Sequence, residues 1–135
     1  QVEYVGYGPT ESYLDKHHAA AFGRYKTTPE SNHVPYLKPQ ENGSHYGCRE
    51  VKVANSSDCF TVQSHVLFSM NVSPYSQEEL GSKKHQYDLE KSGSTILCVD
   101  YKMSGVGSNS CGPALKAQYR LNETEWDWAI SLQIN

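Results

Sequence analysis

A chain of 135 residues is sized for one domain around one core, because at this length roughly two-thirds of the surface exposed in the unfolded chain can be buried. Its 12 Lys and Arg against 15 Asp and Glu leave a net charge of -3, with the signs interspersed and no basic run, which argues against nucleic acid and against an anionic membrane as partners. No apolar stretch approaches the ~20 residues that cross a bilayer, and Gln1 follows no methionine or leader-like segment, so the chain reads as soluble and its start as a cut.

In chain order, residues 2–7 form a short strand candidate, and residues 12–21 a possible helix closed by Gly23, although its apolar spacing is poor. Residues 28–47, with Pro29, Pro35 and Pro39, read as a long irregular loop. After a short strand at 50–54 comes the strongest signal: in 60–72, Phe60, Val62, Val66, Phe68, Met70 and Val72 alternate with mostly polar residues, the period of a strand with one buried face. Ser76-Gln-Glu-Glu79 is a capping box that starts a short helix ending near Gly81. Residues 94–102 are rich in β-branched and aromatic residues, as strands are. A last strand over 125–135 places Trp126, Trp128, Ile130, Leu132 and Ile134 inward, completing a buried side with Phe60, Val62, Val66, Phe68 and Met70. The pattern predicts one all-β domain over 1–135, an antiparallel β-sandwich with unusually long loops.

Between the last two strands lies Ser-Gly-Val-Gly-Ser-Asn-Ser-Cys-Gly-Pro, residues 104–113, with three glycines and three serines and almost nothing to bury. It is a loop, either a plain connection or a working surface. It is no dinucleotide loop, since Ser110 stands where the third glycine of G-x-G-x-x-G belongs and no helix follows. Neither Ser108 nor Ser110 has, two positions before it, the glycine that a G-x-S-x-G nucleophile elbow requires.

Other chemistry is equally sparse. His17 and His18 are adjacent and point apart in any regular element, while His33, His45, His65 and His85 stand alone, so no metal site is expected. Cys48, Cys59, Cys98 and Cys111 contain no C-x-x-C pair, and the chain is long enough to need no staple. Nothing in the sequence places a base beside Cys111. Glu11, Asp15, Glu41 and Asp100 are available for acid–base chemistry on glycosides, but no spacing pairs any two of them. Sequons at Asn42, Asn55, Asn71 and Asn122 read as coincidence in a chain rich in Ser and Thr. Pro39-Gln-Glu-Asn-Gly43 is either a turn, its Asn-Gly supplying positive φ, or a polar surface for a sugar or another domain. Tyr13, Tyr25, Tyr36 and Tyr46 flank these loops, equally suited to packing and to sugar recognition.

Five stretches together, Gly8-Pro-Thr-Glu-Ser-Tyr-Leu-Asp15, Val34-Pro-Tyr36, Pro39-Gln-Glu-Asn-Gly43, Tyr75-Ser-Gln-Glu-Glu-Leu80 and Asp100-Tyr-Lys-Met-Ser-Gly-Val-Gly107, resemble in order and spacing the C-terminal end of large β-galactosidases of glycoside hydrolase family 2. The resemblance runs from about Val2 to Ile134. It implies the second half of the family's last domain, part of a large antiparallel β-sandwich related to galactose mutarotase-like folds. It also implies that the two catalytic glutamates lie in a separate α/β barrel, so no carboxylate of this chain is catalytic, no cofactor is needed and the isolated chain is expected to hydrolyse no galactoside. Implied partners are the galactoside in the full enzyme, the other domains and further copies in a homo-oligomer, in the cytoplasm. In the family's well-known bacterial members the loop matching 104–113 reaches the active-site mouth and presents a tryptophan to the sugar. Here the matching position is Cys111, whose thiol offers no broad π face. Ser108, Asn109, Ser110 and Cys111 are therefore the candidate substrate-binding residues. A free-standing carbohydrate-binding module and a purely structural domain are the alternatives.

Overall fold

A computed structural model describes residues 1–106 and 110–135. Six strands make one antiparallel sheet: β1 (Val2–Gly8), β2 (Ala21–Thr27), β3 (Ser44–Ala54), β4 (Cys59–Ser73), β5 (Ile96–Asp100) and β6 (Ser131–Ile134). The order across the sheet is β2-β1-β3-β4-β5, and β6 also pairs with β4. The all-β, antiparallel, sandwich-like class expected from the alternation is thus the one observed, with two short helices, α1 (Pro29–Asn32) and α2 (Gln77–Ser82), in the connections.

The 15-residue β4 organises the sheet. Its first half pairs with β6 (Val62 opposite Leu132) and its second half with β5 (Met70 opposite Val99), while β3 lies along the other side. The apolar period holds within each half, Val62, Phe68, Met70 and Val72 being fully buried, although Thr61, Ser69, Asn71 and Ser73 on the other face are buried as well. It breaks between them. Cys48 faces Phe68 but Glu50 faces Gln63, so β4 carries three extra residues where β3 advances by two. Val66 lies in that excess and is 43% exposed, against the expectation that it lines the core. A second irregularity, between His45 and Cys48, contains Gly47 at φ 64°, a left-handed conformation that favours glycine.

Val2 and Tyr4 of β1, Cys48 and Val51 of β3, and the four β4 residues form the core, with Tyr25, Val53, Phe60, Leu97, Val99 and Trp128 packed around it. The opposite face of β1 and β2 is charged: Arg24 pairs with Glu3 at 2.6 Å and with Glu50 at 3.4 Å, and Lys26 with Glu3 at 3.5 Å. That face needs no cover.

Several expected boundaries move. Residues 12–21 are not a helix, because their amides bond elsewhere: Ser12 N donates to Ser44 O at 2.7 Å and Leu14 N to Met103 O at 3.0 Å. The strand β2 follows instead, with Gly23 paired to Gly6 rather than capping a helix. The 28–47 loop holds α1, capped by the Thr28 hydroxyl, and ends early because β3 begins at Ser44. The Ser76 cap forms, its Oγ accepting from Glu79 N at 3.1 Å, but the Glu79 carboxylate turns outward to Glu90 N and Lys83. The last strand is only four residues long, and Trp126, Ile130, Leu132 and Ile134 are exposed rather than inward. Leu132 does share a face with Val62, but β6 is an edge strand and none of the described residues cover it there. Trp128 alone of that set joins the core margin, its Nε1 donating to Ser64 Oγ at 3.2 Å.

Candidate functional site

Three connections meet at one end of the sheet: residues 9–20 after β1, 33–43 before β3 and the described part of 101–116 after β5. Glu11 ties the first two together. Its side chain is 9% exposed, and it accepts from Tyr36 Oη, from Tyr13 Oη at 3.0 Å and from Gly43 N at 2.9 Å, with Lys16 Nζ at 3.6 Å. Burial alone would raise its carboxyl; the hydrogen bonds from Tyr36, Gly43 and Tyr13 and the charge of Lys16 outweigh that and hold it below the ordinary range. The Tyr36 hydroxyl, bonded to that carboxylate, is pushed up to about 12. A carboxylate with three donors around it is a structural hub, occupied by holding the loops.

Beneath these loops runs a buried polar network. The Asn32 Nδ2 donates to Gly43 O at 2.8 Å and Val72 O at 3.0 Å, which fixes its Oδ1 toward His45 Nε2 at 2.7 Å. That nitrogen therefore carries the proton of the neutral ring. Asn71 Nδ2 donates to Glu41 Oε1 and to Asn42 O, both at 2.8 Å, and Asn42 Oδ1 accepts from Val34 N at 2.8 Å. Burial raises Glu41, the neighbouring charges of Asp100 and Glu11 adding to it against the hydrogen bonds of Asn71 and Gln77. Burial likewise raises Asp100. Burial lowers His45 to about 4. Gly43 adopts φ 72°, the positive value read from Asn-Gly.

The start of the 104–113 loop is bonded to the 9–20 connection. Gly105 N donates to Asp15 Oδ1 at 2.7 Å, one residue from the Leu14 to Met103 backbone bond. Past the loop, Tyr119 stands edge-on to His18, with its Oη 3.2 Å from His18 Nε2. Tyr46, His17 and His18 form a continuous stack, with centroid spacings of 4.5 and 4.7 Å. Beside them a cavity of about 630 Å³ is lined by Thr10, Glu11, Lys16, His17, His18 and Asn32, among others. Ser110 and Cys111 are exposed, and Ser108 and Asn109 lie outside the described residues. The four cysteines are free, and among the described residues no three His, Cys, Asp or Glu gather as a metal site.

The structure therefore brings Glu11, Asp15 and the start of the 104–113 loop to one corner, with Glu11, Asp15 and Glu41 each engaged in hydrogen bonds and the half-buried Asp100 a charge neighbour of Glu41. What sequence reasoning missed is the Asn32–His45–Asn71 network, composed of residues far apart along the chain that meet only where the end of α1 reaches β3 and β4. Asp15 was visible as the end of the Gly8–Asp15 stretch, but its bond to Gly105 spans 90 residues.

Residues 1–134 match a family model described as the beta galactosidase small chain. The chain is 59% identical over 125 residues to a beta-galactosidase of Actinobacillus pleuropneumoniae, covering 93% of this chain and 12% of that protein. It is 38% identical over 133 residues to one from Staphylococcus xylosus, covering 98% and 13%, and 39% identical over 110 residues to one from Streptococcus thermophilus, covering 80% and 11%. The chain thus spans about an eighth of the length of the curated relatives it matches.

Proposed function

Because the chain belongs to the beta galactosidase small chain family, we propose that it is a non-catalytic part of a β-galactosidase, contributing the 104–113 loop to the substrate mouth of a longer enzyme that hydrolyses terminal β-D-galactosides and supporting its assembly. One observation carries this reading: the stretches that resemble the family, scattered over a hundred residues of chain, converge on one end of the sheet, with the loop held against them by Leu14 and Asp15. A loop that only joined two strands would need no such seat. Small hydroxyls and backbone amides let a ligand approach closely, and the exposed Ser110 and Cys111 place such groups at the surface.

The acids of the corner support a non-catalytic role. Retaining glycosidases need two carboxyl groups about 5 Å apart facing the sugar. Here Glu11 is saturated with donors and Glu41 is bonded to Asn71. Catalysis is left to residues elsewhere in the longer protein.

Substituting Cys111→Trp in the longer enzyme tests the reading. A broad aromatic face at the mouth is expected to change the Michaelis constant for galactosides by roughly tenfold, the scale of one aromatic contact, and to leave thermal stability nearly unchanged because the site is exposed. An unaltered Michaelis constant would remove the loop from the mouth.

A further inference from the structure

We infer that Asp15 is the positioning residue of the 104–113 loop, fixing through the Gly105 amide where that loop leaves β5 and thereby how tightly the longer enzyme holds a galactoside; this rests on the loop lying at the substrate mouth. Asp15 is seated on a closed turn: Tyr13 N donates to Lys16 O at 2.8 Å and Lys16 N to Tyr13 O at 3.0 Å. Ser12, just before it, is fastened to β3 through Ser44 O at 2.7 Å, and the buried Leu14 packs beneath. Leu14 N then grips Met103 O at 3.0 Å and the Asp15 carboxylate grips Gly105 N at 2.7 Å, so two consecutive residues hold both ends of a three-residue stretch.

The two grips differ in kind. The backbone bond would survive a change of side chain at residue 14 to anything but proline, which has no N–H to donate, whereas the second depends on one carboxylate. An amide bonded to an ionised acceptor forms a short, charge-assisted bond stronger than a neutral one. Gly105 has no side chain of its own to anchor its backbone, so Asp15 supplies from outside what a packed side chain would supply from within. Beyond the described part of the loop, Tyr119 rests on His18, three residues after Asp15, so the same connection supports both flanks. Displacing the entry by even an ångström misplaces everything the loop presents, and misplacement of that size is costly for ligand geometry.

The test uses the full-length enzyme with Asp15→Ala and Asp15→Asn. Two quantities are read: steady-state kinetics on a chromogenic galactoside, and amide exchange of the peptide containing residues 103–106. Asp15→Ala is expected to raise the Michaelis constant about tenfold with kcat held within about twofold, and to speed exchange in that peptide. Asp15→Asn keeps an acceptor oxygen and should restore most of both, a rescue that general destabilisation would not show. Should Asp15→Ala fold poorly, Gly105→Pro removes the same bond from the donor side and should raise the Michaelis constant alike. An unchanged Michaelis constant in Asp15→Ala, whether or not exchange quickens, overturns the inference. If Cys111→Trp alters the kinetics and Asp15→Ala does not, this inference alone falls; if both are silent, the reading of the mouth falls with it.

Discussion

His45 sits between two acceptors, Asn32 Oδ1 and the Tyr7 carbonyl, the latter 3.1 Å from Nδ1, and is 1% exposed. Burial disfavours the imidazolium and lowers the ring from 6.5 to about 4; the Tyr7 carbonyl and the Glu11 charge oppose that without overcoming it. A histidine lowered on folding binds a proton more readily when unfolded, so its contribution is complete above pH 6.5 and disappears as the pH falls toward 4. The loss is at most roughly 3 kcal/mol, since the Tyr7 carbonyl can accept from a protonated Nδ1. Glu41 and Asp100, both raised, act in the opposite sense over the acid range, and Glu11, lowered, acts with His45. The difference between the native chain and His45→Gln isolates the ring. Melting temperatures measured from pH 7 to 4.5 should fall more steeply for the native chain, and parallel curves would contradict the assignment. His45 was noted in the sequence only as a solitary histidine, because nothing local marks a residue whose partners lie 13 and 38 positions away.

At the scale of elements, legibility followed how locally each signal is written. The Ser76 cap is readable because cap and amide lie three residues apart, and both halves of β4 because apolar residues alternate within each, although that period does not reveal that the polar face of Ser69 and Asn71 is buried too. Alternation alone carries no mark of a bulge, so Val66 was assigned to the core on the strength of a period that the chain interrupts between Gln63 and Phe68. For β6, alternation showed which residues share a face but not whether anything covers it. The strand β2 was hidden by Gly23 and by charged residues that suit its solvent-facing side. A pair of substitutions tests the register. Phe68→Ala should cost roughly 3–5 kcal/mol, as expected for a fully buried aromatic ring, and Val66→Ala under about 1 kcal/mol, as expected for a side chain on a surface bulge. Equal costs in chemical denaturation would show the bulge to be misplaced.

For the whole molecule, the described residues form one sheet whose connections gather at one corner. Five stretches that resemble a β-galactosidase end were legible as strings, and the fold joins them: Glu11, Asp15 and Asn42 link four of them by hydrogen bonds across the 9–20, 33–43 and 101–116 connections, and Gln77 of the fifth bonds to Glu41. The exposed apolar residues of β6, Leu132 and Ile134, lie along the first half of β4, whereas Trp126 stacks on Tyr101 with ring centroids 5.8 Å apart. Among the cysteines, Cys48 is fully buried with its thiol pushed up to about 12 by burial, whereas Cys111 is exposed on the loop. That contrast gives a direct measurement in the longer enzyme: the rate of Cys111 alkylation by iodoacetamide, followed by peptide mapping, as a galactoside that is not turned over is titrated in. If this chain helps form the mouth, alkylation of Cys111 slows as the ligand saturates, with a midpoint at the ligand's inhibition constant. A rate that stays constant through saturation would contradict the account.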